Sequence, residues 1–197
     1  MKKIILSVTI MGMFVLSTTA QTTKWVFDKT HSKVQFDVDH MVISEVSGQF
    51  KDYEGTVLSD KSDFSDAKID FSIDVKSIST DDEKRDGHLQ SPDFFDVPKY
   101  PKITFISKSM KKIKENHYKL TGDFTMHGVT KTITLDVTYG GTVTDPYKNI
   151  KAGFKISGTI NRTEFGLKYN SVVDSGGLMI GEVVTFICKV ELMKMKN

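Results

Sequence analysis

The sequence predicts an antiparallel all-β protein, and three observations carry that expectation. Apolar and polar residues alternate with period two along most of the chain, as half-buried strands do. About eight such stretches are separated by short turns. No extended helical pattern occurs anywhere outside the leader.

The chain starts Met-Lys-Lys, runs apolar from Ile4 to Leu16, and turns small and polar through Ser17, Thr18, Thr19 and Ala20. This is the pattern of a secretory signal peptide cut after Ala20. The apolar run falls short of the about 20 residues that a spanning helix needs. A periplasmic or secreted protein is expected, with no transmembrane segment after cleavage. The residue directly after the cut is Gln21 and not Cys, which argues against a bacterial lipoprotein anchor there.

Loss of residues 1–20 removes Lys2 and Lys3 and no acidic residue, so Lys plus Arg falls from 27 to 25, against 25 Asp plus Glu. A neutral chain favours neither nucleic acid nor an acidic membrane surface. The lone Cys188, within the strand-like TFICKVEL, reads as a small buried apolar residue. Without an internal disulfide, stability must come from the core. The remaining residues, 21–197, form a natural single domain.

After Trp25, Val26 and Phe27, the residues Val34, Phe36, Val38 and His40 share one face of a strand. Phe50 and Tyr53 are out of phase, which suggests a bulge before Val57. Ala67, Ile69, Phe71, Ile73 and Val75 form the clearest apolar face. Residues 80–105 break the alternation and hold three of the chain's 4 prolines. Thr80 with Glu83 fits a capping box for a short helix to about Leu89. Ser91-Pro92 fits the start of a second short helix bearing Phe94 and Phe95. Strands then resume at Ile103, at Tyr118, at Ile133, at Ala152 and at Val183. His127-Gly128 reads as a tight connection, residues 140–149 as a loop, and residues 161–166 as one helical turn.

This pattern fits a barrel or a sandwich. A transmembrane barrel shares the leader and the alternation, but its aromatics belong at strand ends; here they lie mid-strand.

The order of motifs resembles the YceI-like family of secreted isoprenoid-binding proteins. The pieces are Trp25 to Asp28 with His31-Ser32, Phe36-x-Val38-x-His40, Gly48-x-Phe50, and Ser77-Ile78-Ser79-Thr80. Next come Arg85-Asp86-x-His88-Leu89, Asp93-Phe94-Phe95-Asp96 and Lys99-Tyr100-Pro101-x-Ile103-x-Phe105. The run from Gly122 to Thr130, then Asn161-Arg162-x-x-Phe165-Gly166 and Ile180-Gly181-Glu182-Val183, complete the series. The resemblance implies an extended, lipocalin-like antiparallel β-barrel with short helices inserted near residues 80–97. It also implies a polyisoprenoid or similar amphiphilic lipid as the partner. Dimers are known in the family, so a homodimer is a family expectation and the oligomeric state is otherwise open.

Alternation alone leaves the apolar face open to two readings, a packed core and a ligand cavity. The resemblance favours the cavity, lined by Phe36, Val38, Phe50, Phe71, Ile73, Phe94, Phe105, Phe124, Met126, Phe154, Ile156 and Phe186. His40, Arg85, His88 and Arg162 are the candidates to meet a polar head, Arg because its planar donors suit phosphate. The bland alternative for Arg85 and His88 is a solvated helix face. No two of the five histidines have a tight metal spacing, so neither a metal nor another cofactor is expected. His31 and Ser32 are adjacent, hence on opposite faces of an extended chain, and no nucleophile elbow occurs. Asp28 and Ser32 instead fit a turn. A non-enzymatic lipid binder is the leading reading. The rivals are an enzyme acting on such a lipid and a β-domain with a filled core.

Overall fold

The computed structural model describes residues 22–172 and 176–196; the expected leader lies outside them. In chain order the strands are β1 Lys24–Phe27, β2 Lys33–His40, β3 Ser44–Phe50, β4 Tyr53–Leu58, β5 Lys68–Asp74 and β6 Ile78–Ser79. Helix α1, Glu83–Gln90, follows, then β7 Lys102–Lys114, β8 His117–Met126, β9 Val129–Thr144, β10 Ile150–Asn161 and β11 Ile180–Lys194.

All pairings are antiparallel, and the order β1-β4-β5-β7-β8-β9-β10-β11 closes when β1 pairs with β11. The result is a closed eight-stranded barrel, the one of the two architectures open to the alternation that the family resemblance implies. β2, β3 and β6 prolong β1, β4 and β5: β11 pairs with β1 at Leu192 and with β2 from Lys189 onward. Three neighbouring staves are therefore each broken once, at residues 28–32, 51–52 and 75–77. The misphase of Phe50 and Tyr53 marks the second of these breaks.

The breaks are laced together. Lys51 N donates to Ser77 O (3.1 Å) and Asp74 N to Asp52 O (3.0 Å). Ser32 Oγ accepts from Glu191 N at 2.9 Å, which ties the first break to β11. As the sequence suggests, Asp28 shapes this turn, its Oδ1 accepting from Thr30 N at 3.0 Å.

Two expectations fail. Residues 140–144 are strand, not loop: β9 runs to Thr144 by absorbing a bulge, with Gly141 at φ 109° and the β9–β10 register shifting at Gly153/Phe154. Glycine supplies that positive φ without a Cβ clash. The loop is confined to residues 145–149. The second short helix is also absent, because residues 91–95 make turns. Phe95 N donates to Leu89 O and Val97 N to Gln90 O, folding this segment back on α1. Adjacent helical residues diverge by about 100°, whereas here Leu89, Phe94 and Phe95 all reach the interior.

The first helix forms, though Asp82 caps it, its Oδ1 accepting from Arg85 N at 3.0 Å. Thr80 is buried and bonds instead to Asp86, through its N at 2.8 Å and its Oγ1 at 2.6 Å.

Candidate functional site

A cavity of about 230 Å³ runs inside the barrel, and its walls present apolar atoms only. The alternation that builds each strand sends one side of every stave inward. All twelve residues expected on the lining lie on this wall. Eleven of them lie on strands β2, β3, β5, β7, β8, β10 and β11, and Phe94 comes from the turns after α1.

The wall stays hollow because several phenylalanines lie against glycines. Phe36 faces Gly48 directly across β2–β3, Phe71 faces Gly55 across β4–β5, and Phe186 faces Gly158 across β10–β11. A Cβ at Gly48 would fall within 2.9 Å of Phe36 Cε2, and one at Gly158 within 3.1 Å of Phe186 Cζ. Phe105 covers Gly122 in the same way. Rings laid along the wall do not fill the axis.

One end of the cavity is plugged. Phe64, only 1% exposed, reaches in from the connection between β4 and β5. Its ring centroid lies 4.9 Å from those of Trp25 and Phe154 and 5.6 Å from that of Tyr139. Asp66 holds that connection in shape, accepting from Ser59 Oγ at 2.6 Å and Asp60 N at 3.0 Å. Polarity hides Phe64 in the sequence: SDKSDFSDAK reads as a solvated loop.

The segment around α1 covers the opposite end, with Leu89, Phe94 and Phe95 on the cavity wall. His88, Phe94 and Tyr169 form an aromatic latch between this lid and the loop after β10, with centroids 5.0, 4.8 and 4.9 Å apart.

The four polar candidates part company here. Arg162 alone lines the cavity, and it is 4% exposed. Its guanidinium donates to four backbone carbonyls: Leu167 O (2.6 Å), Gly181 O (2.8 Å), Tyr169 O (3.0 Å) and Ile180 O (3.2 Å). It therefore ties β10 to β11 and the intervening loop, while burial pushes its pKa down. Arg85 is turned to its own chain, Nε donating to Thr80 Oγ1 at 2.7 Å and a terminal nitrogen to Thr80 O at 2.8 Å. His88 Nε2 meets Asp93 Oδ2 at 3.1 Å. His40 is half-buried where β2 meets β3 and β11, off the cavity wall. The structure thus brings no polar cluster together around the cavity from this set.

A separate cluster sits at the first stave break. Asp28, His31 and Glu191 place their ligand atoms within 4.8 Å of one another. Lys151 Nζ occupies the middle, 2.7 Å from both Asp28 Oδ2 and Glu191 Oε1. That ammonium holds the Asp28 carboxyl well below the usual carboxylate range, and the two carboxylates raise Lys151 in turn. The arrangement is an ion clamp joining β1, β10 and β11. Cys188 is a wall residue whose thiol burial pushes up to about 12.

A model of the YceI-like domain matches residues 25–192. A UPF0312 protein of Staphylococcus aureus strain USA300 is 36% identical over 170 residues, 86% of this chain and 96% of the relative. Among solved structures, Burkholderia cenocepacia BcnA superposes with TM-score 0.73 at 23% identity, covering 84% of this chain and 98% of its own. The Campylobacter jejuni YCEI protein gives 0.69 at 34% identity, covering 80% and 90%. A Saccharophagus degradans domain, described as polyisoprenoid binding and implicated in plant cell wall breakdown, gives 0.63 at 14% identity, covering 86% and 97%.

Proposed function

Because this chain belongs to the YceI-like family, we propose that it holds a polyisoprenoid or similar long-chain amphiphile inside the barrel and carries it through the periplasm or outside the cell. The wholly apolar cavity between the Phe64 plug and the aromatic lid supports this reading. Each Å² of apolar surface that a prenyl tail removes from water contributes about 25 cal/mol. A long tail then binds with few polar contacts. Phenylalanine and methionine walls offer large apolar area and adaptable packing. The family and the Saccharophagus domain support a binding role rather than catalysis. The leader pattern of residues 1–20 supports export.

The test is solvent extraction of the purified protein followed by mass spectrometry. A co-purifying prenyl lipid is the expected result. A protein that is empty and takes up no prenol on incubation overturns the reading. Phe71→Asp puts a carboxylate on the wall and should abolish uptake; unchanged uptake by a folded variant removes Phe71 from the site. Cell fractionation tests the compartment, and a cytoplasmic location would remove the export reading.

A further inference from the structure

The turn between β2 and β3 is built from the wrong residues for its backbone. Met41 and Val42 have φ of 51° and 66°, and Ile43 N donates to His40 O at 3.2 Å. Two successive left-handed residues suit Asn-Gly; a β-branched valine there is strained. The strain gains no burial, because Val42 is 73% and Ile43 82% exposed.

The loop after β10 stands beside this turn. Met41 N donates to Met179 O and Met179 N to Ser171 O, both at 2.8 Å, while Val172 bridges to Leu178. Val172 is 71% exposed, and Leu178 and Met41 are also open to solvent. Single exposed apolar residues are ordinary on protein surfaces. A group of aliphatic tips on two hydrogen-bonded loops, one held at a backbone cost, marks an interaction site. The group lies at the lid end of the cavity: His40 pairs with Ile180, and Ile180 is a wall residue, as is Val38.

We propose that these tips, Met41, Val42, Ile43, Val172 and Leu178, dock the lid end onto a neutral phospholipid bilayer. The proposal rests on the lipid-carrying reading, since a carrier must present its opening to the membrane that supplies or receives the lipid. The chemistry of the tips favours lipid over protein: all are aliphatic, whereas protein hot spots are enriched in Trp, Tyr and Arg. The adjoining strands carry Asp39 and Glu45, paired across β2–β3, and Glu182 on β11. They are acidic and repel an anionic surface, so the fitting bilayer is zwitterionic.

Flotation of the purified protein with phosphatidylcholine vesicles, at low and high salt, tests this. Binding should be nearly independent of salt and weaker on phosphatidylglycerol. Ile43→Asp and Val42→Asp should each lower binding roughly tenfold to a hundredfold, the effect of losing one buried aliphatic side chain. Both positions are exposed, so the fold should survive; Val42→Gly, which relieves the strain and removes the same aliphatic tip without adding a charge, should also weaken binding in a folded protein. Calorimetric uptake of farnesol, which needs no vesicle, separates the two readings. Farnesol binding without vesicle binding overturns the docking and leaves the carrier standing. Vesicle binding without farnesol binding overturns the carrier and removes the premise of the docking. A concentration-dependent dimer abolished by Ile43→Asp, with no vesicle binding, assigns the surface to a second copy and overturns the membrane proposal.

Discussion

Arg162 shows what a buried charge does when backbone carbonyls receive its donors. Its donors meet four backbone carbonyls, of which Ile180 O also accepts from Asn170 Nδ2 at 2.8 Å, and leaving a buried carbonyl unpaired costs about 1–3 kcal/mol. Arg162→Met should therefore lower stability by roughly 3–5 kcal/mol in urea unfolding; Arg162→Lys should recover only part, lacking the planar fork. The Lys151 clamp predicts a pH profile. Asp28 has a lowered folded pKa, so its contribution is complete above about 3.9 and is lost as pH falls through the acid range. Lys151 has a raised folded pKa, so its contribution is complete below about 10.4 and is lost as pH rises beyond it. Urea midpoints at acid, neutral and alkaline pH should show both flanks, and Lys151→Met should flatten them. The Cys188 thiol, pushed up to about 12, should react with iodoacetamide at pH 8 on the order of a thousandfold more slowly in the native protein than when unfolded. The wall positions were legible because period-two alternation reports which face is buried. The role of Arg162 was not, because its partners are backbone carbonyls that leave no trace in residue identity.

At the scale of the element, the segment 80–101 and the connection 59–67 close opposite ends by different means. The lid has no buried residue in α1 itself; it is held by the Asp86–Thr80–Arg85 bonds and by the latch to Tyr169. His88→Ala removes one ring of the latch and should quicken release of bound lipid several-fold, read as an off-rate, with little change in melting temperature. Phe64→Ala should cost about 3–5 kcal/mol, the usual range for a buried aromatic, and lengthen the cavity at the plugged end. Both closures were partly visible beforehand. The lid declares itself by losing alternation, and its first helix by the Thr80–Glu83 pattern, although Asp82 is the residue that caps it, but the turns after it depend on three apolar side chains converging on the interior. The strand extension through Gly140 and Gly141 was hidden because glycine reads as a loop until a partner strand shows the bulge.

At the scale of the whole molecule, the β1–β11 pairing closes the ring of eight staves and leaves the interior to set specificity. The eight-stave count follows from sequence spacing, whereas closure into a barrel required the β1–β11 register. The phenylalanines that lie on glycines give that interior a calibre fixed by pairs of positions rather than by single ones. The three atoms nearest a Cβ at Gly48 all belong to the movable ring of Phe36, so Gly48→Ala should tip that ring toward the axis at a cost of about 1–3 kcal/mol. The bore would narrow by a step. Branched or bulky apolar chains should then be lost before slender ones of equal length, a selectivity change measurable by competition between saturated and methyl-branched chains. Ring and glycine together act as a gauge block, and sequence drift at either member would retune which chains pass without touching the staves that carry them.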